Sequence, residues 1–318
     1  MDNDAPGEPP PGRPSKSGHD VVVFTSGRFS AGINRHGGRL EFFRCEDRDL
    51  VVPAPPGAEP GPGFHGAVIG PWPNRVADGT WTFDGLAHSV AINERATGTA
   101  LHGFTPWLEW DVAATAPDRV TATVGLLPRS GWPHHLDVVL DARLDEHGLE
   151  LELSATNVGS SAAAWGATIH PYLCAPGSPA DWTVLVPASQ VLEVDDRLLP
   201  VALVDVDGTT RDLRHPRPAA ELDLDHAFTG LEPGPGDHAS ARAEVRTTAG
   251  DGVHITWSAH ECPWVQVYTG DERGVAIEPM TCPPDAPRSG RDLVVLAPTE
   301  THTTRWRIGP VSAVTSVP

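Results

Sequence analysis

The chain has 318 residues, 39% hydrophobic and 20% charged, a balance that suits a globular protein with a sizeable core and excludes a disordered or fibrous one. Its formal net charge of -19 repels nucleic acid and anionic membrane surfaces, so a small neutral molecule is the expected partner. No run approaches the roughly 20 apolar residues of a membrane span. The N-terminus lacks a signal-peptide core, and Cys45, Cys174, Cys262 and Cys282 form no CxxC pair or zinc-like spacing. A cytoplasmic protein with buried thiols is the expectation.

Residues 1–20 form a Pro/Gly/Ser-rich tail with too little apolar content to offset the entropy of ordering, and are read as disordered. From residue 21 the pattern is β. Val21–Phe24, Phe29–Ile33 and Leu40–Phe43 are short β-like runs separated by Gly and polar turns, and Pro/Gly density predicts a loop around 53–63. Leu136, Val138, Leu140, Ala142 and Leu144 alternate with polar neighbours. After the turn at Glu146-His147-Gly148 the alternation resumes at Leu149, Leu151, Leu153 and Ala155, which predicts a hairpin with one apolar and one acidic face. Further strands are expected at Trp182–Val186, Val191–Val194, Val253–Trp257, Leu293–Leu296 and Thr303–Ile308. No helix-length segment carries an apolar stripe of period 3.6, and 33 prolines with 32 glycines supply turns. The fold class is therefore all-β, a large antiparallel β-sandwich, in one domain from residue 21 to 318.

The stretch CPWVQVYTGDERGVAIEPMTCPPDA, starting at Cys262, reads as strands Trp264–Tyr268 and Val275–Ile277 around a polar turn. Glu278 follows the second strand and precedes Pro279, which makes it either an ordinary sheet-edge glutamate or a functional carboxylate held by a scaffold. Three other stretches carry unusual chemistry. Asn74 and Arg75 lie between a Pro-locked turn and the strand-like Thr80–Phe83, His102 follows downstream, and together they offer donors and an acceptor suited to sugar hydroxyls. His170 ends the apolar run Ala162–Ile169 before Pro171 fixes the chain direction, as a structural histidine or a catalytic one. Asp225-His226 and Gln266 complete the set.

In their order along the chain, PWPNRVADG, His102-Gly103, ATIHPYL, LDLDHAFTG, WVQVYTG and VAIEPMTCPPDA resemble the aldose 1-epimerases, the galactose mutarotase family, over about Val21 to Ile308. The motifs are nearest the bacterial branch that includes the mutarotase of sulfoquinovose use. The resemblance implies a β-sandwich with a site on its concave face, His170 as general acid and Glu278 as general base. It also implies substrate-binding roles for Arg75, His102, Asp225 and Gln266, with Asn74 beside them. HPYL departs from the family's histidine-rich NHSYF, with Pro171 in place of a polar neighbour.

Anomer exchange of a monosaccharide needs the O1 proton removed and a proton delivered to O5, opening the ring to the aldehyde; rotation and reclosure reverse both transfers. Neither metal nor cofactor is needed, and positioned acid and base groups each supply roughly 10²–10⁴ in rate. While substrate is bound the expected charge states are an ionised Glu278 and a protonated His170, the latter favoured by the protein's negative field, with partial burial making Glu278 a better base. Most of the ten tryptophans are expected in the core, and one or two at most against the sugar. Three rival readings remain: a glycoside hydrolase pairing Asp225 with Glu278, a non-catalytic carbohydrate-binding β-sandwich, and a sugar-phosphate epimerase needing several basic residues. A sulfonated sugar would also call for cations near the site, with Arg95, Arg288 and Arg291 as candidates.

Overall fold

The computed structural model describes residues 20–55, 57, 60–61, 63–232 and 240–312. The tail expected over 1–20 falls almost wholly outside them, and the 53–63 loop is described in part. Two large antiparallel sheets carry the described chain, one of ten strands and one of nine. The predicted hairpin forms the middle of the nine-stranded sheet. Leu136–Asp145 pairs with Gly148–Asn157 in the register Leu140 opposite Leu153 and Leu144 opposite Leu149, so the alternating leucines share one face. That face is fully buried, while Asp137, Asp141 and their neighbours point outward.

The ten-stranded sheet begins with the predicted meander, Val21–Ser26, Phe29–Asn34, Leu40–Cys45 and Arg48–Val51. It continues through Tyr172–Leu173, Val275–Met280, Trp264–Tyr268 and Asp225–Leu231 to its far edge at Pro200–Asp205. Chain-distant segments thus become neighbours: the motifs around His170, Glu278, Gln266 and Asp225 occupy four adjacent positions in one sheet. The inner faces of the two sheets meet in one continuous apolar core, where Leu140 and Leu151 of the hairpin approach Ile33, Leu40, Ile169 and Pro171.

Two details differ from the sequence reading. The strand carrying Glu278 does not stop before it; Val275–Met280 continues through Pro279, and every residue in it is buried. Glu278 is therefore an interior residue of a central strand. The strands Asp111–Ala116 and Pro200–Asp205, which no periodicity marked, are sheet-edge strands with mostly exposed residues and so carry little apolar pattern. Among the described residues the one α-helix is the four-residue turn Ala286–Ser289, and no helix is long and apolar enough to cross a membrane.

Candidate active site

Strand pairing builds the floor. Gln266 lies directly opposite Glu278 in the ladder between Trp264–Tyr268 and Val275–Met280, which places both side chains on one face. On the next strand, Asp225 accepts a 2.6 Å hydrogen bond from Gln266 Nε2. His170 sits between two two-residue strands, its backbone fastened to a neighbouring loop by Gly66 N–H to His170 C=O (2.9 Å) and His170 N–H to Ala67 C=O (3.0 Å). Its Nε2 lies 3.3 Å from Glu278 Oε1.

A second, smaller ladder supplies the wall. Arg75–Ala77 pairs with Thr99–Leu101, with Arg75 opposite Leu101, so Asn74 and His102 emerge side by side at its end. The two are locked reciprocally: His102 N–H donates to Asn74 C=O at 2.9 Å, and Asn74 N–H donates to His102 Nδ1 at 3.2 Å. Asn74 and His102 both have left-handed backbone, φ 56° and 61°, as does Phe64 at 51°. For a bulky residue such as Phe64 this is a costly conformation, of the sort retained where the surroundings over-determine it. Gly103, at φ 60°, must be glycine, since a Cβ there would fall 2.2 Å from the Gly70 carbonyl oxygen.

Together these elements enclose a cleft of about 620 Å³, lined by Asn74, Arg75, His102, His170, Asp225, Gln266 and Glu278, with Glu94, Phe64, Tyr172 and Tyr268. All seven residues singled out from sequence are thus brought to one place. Four others were not foreseen. Glu94 holds Arg75 in a two-pronged ion pair (2.7 and 2.9 Å) and accepts hydrogen bonds from Thr97 and Thr99. Phe64 packs edge-on against His102, with ring centroids 4.7 Å apart. Tyr172 and Tyr268 were read only as parts of motifs. Trp72, Trp81, Trp132, Trp165 and Trp264 are core, as expected for most of the tryptophans, and Trp107 touches the cleft-lining Phe64. Phe64, Tyr172 and Tyr268 supply the aromatic surface.

Burial dominates the electrostatics of the cleft. Burial brings His170 down to about 3, outweighing any influence of the net charge, because desolvation acts on the ring directly while distant carboxylates act through water. Burial, aided by Asp225 and opposed by Arg75, holds Glu278 well above the usual carboxylate range. Both shifts favour a neutral pair, with the proton on Glu278 and His170 Nε2 as its acceptor. His102 is held neutral by burial and by the nearby His170 and Arg75. Burial alone would raise Glu94, but its bonds from Arg75 and Thr97 bring it to about 2, a fixed anion. Arg75 also lies 3.5 Å from Asp225, so its charge is matched twice.

His102, His170 and Glu278 bring three potential ligand atoms within 4.8 Å of one another. The hydrogen bonding argues against a metal ligand at His102: histidine ligands donate their second N–H outward, whereas His102 Nδ1 accepts one from Asn74. That bond leaves the proton on Nε2, making His102 a hydrogen-bond donor. Gln266 Oε1 and Glu278 Oε2 are buried without a protein partner. Orphaned acceptors on the lining of a cleft suit a ligand bearing hydroxyls.

The fold is thus a β-sandwich whose cleft joins a buried histidine–carboxylate pair to a set of polar side chains. The family model for Aldose 1-epimerase matches residues 20–309, and the chain belongs to that family. The chain is 33% identical over 288 residues to the uncharacterized protein YihR of Escherichia coli K12, covering 89% of this chain and 90% of that one. It is 32% identical to human galactose mutarotase over 161 residues, 48% of this chain and 46% of the relative, so it spans about half the length of that protein. Among solved structures it resembles the GalM/aldose epimerase homologue of Caenorhabditis elegans, with TM-score 0.80 at 21% identity over 93% and 99% of the two chains. It likewise resembles galactose 1-epimerase of Lactobacillus acidophilus, with TM-score 0.75 at 19% identity over 91% and 94%.

Proposed function

We propose that this protein is an aldose 1-epimerase that interconverts the α and β anomers of a free hexose, with His170 and Glu278 as its proton-transfer pair. The observation that carries the reading is the 3.3 Å contact between these two buried groups on the floor of a hydroxyl-binding cleft. Ring opening requires one group that holds a proton and one that lacks it, and a pair sharing a single proton meets that requirement. Sugar hydroxyls donating to Glu278, with Arg75 nearby, favour the form in which Glu278 is the anion. Glu278 then removes the O1 proton while His170 delivers one to O5, and reclosure on the other face reverses both transfers. Arg75, His102, Asp225 and Gln266 hold the hydroxyls and ring oxygen, and Asn74 fixes His102.

The rivals fit less well. A hydrolase would need Asp225 as a second catalytic carboxyl, yet it is engaged as an acceptor from Gln266 and lies beside Arg75. A phosphorylated sugar would need an unmatched cation, and Arg75, the one arginine lining the cleft among the described residues, is matched by Glu94 and Asp225. Arg288 pairs with Asp285, Arg291 covers Trp264 and Arg95 is exposed, so none of the three lines the cleft as a sulfonate reader would. Galactose and glucose are accordingly ranked ahead of sulfoquinovose. A single domain from residue 21 fits the shared core, and a cytoplasmic location fits four free cysteines.

The test is anomer exchange on freshly dissolved α-galactose, α-glucose and sulfoquinovose, followed by polarimetry or by saturation transfer between H1 signals. Acceleration should fall by roughly 10²–10⁴ in Glu278→Gln and in His170→Asn. Near-full exchange in either variant would overturn the roles. Sugar binding without any acceleration would favour the non-catalytic module.

A further inference from the structure

The loop that fastens His170 carries a polar residue for which the proposed reaction has no use. His65 is 5% exposed, its Nε2 lies 3.0 Å from Asp271 Oδ2, and its ring stacks on Tyr172 at 4.0 Å between centroids and 18° between planes. Tyr172 stacks in turn on His170, at 5.1 Å and 27°. Three rings thus stand in a near-parallel row with Tyr172 in the middle. Asp271, in the turn between the two floor strands, holds His65 at the outer end and is itself capped by the Arg273 N–H at 2.7 Å. Arg273 Nη2 comes within 3.4 Å of His65 Nε2, so Asp271 balances both.

Burying an imidazole here has a desolvation cost and leaves its Nδ1 without a partner, where an apolar side chain would fill the space freely. What a histidine adds is a flat ring whose edge can be tied down. Stacked aromatic rings gain stability beyond their buried area through a preferred orientation, and that orientation passes along the row. His170 has no hydrogen bond from a side chain other than its contact with Glu278 to fix its plane. The row supplies that restraint.

We propose that His65 is a positioning residue for His170, acting through Tyr172 and anchored by Asp271. This rests on His170 being one of the proton-transfer pair. The test compares His65→Leu, which fills the space without a flat face, with His65→Phe, which keeps the face and gives up the anchor. Both variants keep the site filled, so neither creates a cavity. His65→Leu should lower kcat by about three- to tenfold with KM changed less than about twofold, and His65→Phe should recover most of the loss. The 1H–15N signals of the His170 ring should move in His65→Leu and stay near their parent positions in His65→Phe. Equal kcat in the two variants, or a loss carried by KM, would overturn the proposal. If the parent shows no anomer exchange, the function reading fails, and the His170 ring signals still decide whether His65 sets its orientation.

Discussion

The hairpin of the nine-stranded sheet and the floor of the ten-stranded sheet are both central β structure, yet they treat polar residues in opposite ways. In the hairpin, leucines point inward and charges outward, where they pair across strands: Arg119 with Asp141 at 2.7 Å, Arg305 with Glu152 at 2.6 Å, Arg307 with Asp145 at 2.8 Å. In the floor, Val275–Met280 is buried throughout and still carries Glu278, 2% exposed, with Gln266 opposite at 3%. Each leaves one oxygen without a protein partner. Polar groups that raise solubility sit on a wet face, whereas groups that await a ligand sit where their own burial is unfavourable.

If that division is sound, substitutions in the two regions should move different observables. Leu140→Ala removes buried methyl groups from the hairpin beside Leu151, Ile169 and Pro171, and should destabilise the fold by about 2–5 kcal/mol in denaturant titration. The kcat of its folded fraction should stay within about threefold, since catalysis depends on the floor's own groups. A large loss of kcat at unchanged stability would show that the hairpin sets the height of the His170 loop. Next in size is Glu94→Gln, which keeps the shape but removes the charge that accepts from Arg75, Thr97 and Thr99. KM for the sugar should rise roughly tenfold with a smaller change in kcat, as a charge-assisted bond orienting a binding group is weakened.

The pH dependence sharpens the same contrast. A histidine of ordinary pKa would give kcat/KM an inflection near 6.5. Burial instead sets His170 at about 3 and raises Glu278, so the pair keeps its single proton across the range between. The acid limb of kcat/KM set by His170 should therefore lie well below pH 6.5. A limb at 6.5 would mean that His170 is hydrated in the working enzyme. Stability behaves differently. The unfolded chain takes up protons on its histidines below about 6.5, while buried His134 and His254 hold out to about 4, so stability should be lost as pH falls from 6.5 towards 4. Thermal melting across that window should show Tm declining, with no acid limb of kcat/KM from His170 inside it.

The parts of the molecule legible in the sequence are those where a local pattern has a local cause. The hairpin's alternation reflects a sheet with one dry face, and the meander and the floor strands were visible for the same reason. Edge strands such as Pro200–Asp205 bury too little to be patterned. Ser240–Thr247 hides its pattern because buried Glu244 is held by Arg242 and Arg246. Of the site, the seven residues that stand in recognisable motifs were found. Glu94 was not, since an arginine in a cleft calls for an acid, but Asp78, Asp84 and Glu94 all lie within a few turns of Arg75 along the chain and no spacing selects among them. His65 stands in the unmarked stretch GFHGA, and its role depends on rings brought together only by the fold. The pull of burial on both groups' charge states was not legible, because burial is a three-dimensional quantity.

The smallest expected effect tests the other side of the contrast. Arg119→Ala removes the bond that Nε shares between the two Asp141 oxygens on the hairpin's outer face, where the arginine side chain is 51% exposed. An exposed pair gains little because water screens the attraction and two long side chains lose freedom in making it. Tm should therefore change by about a degree or less, and anomer exchange should not change at all. A loss of several degrees would mean that Asp141, left without its partner beside Thr121, is held more firmly than a wet surface carboxylate should be. In that case the outward face of the hairpin would itself be a structured polar layer, and the orphaned groups of the floor would no longer be set apart from it by burial alone.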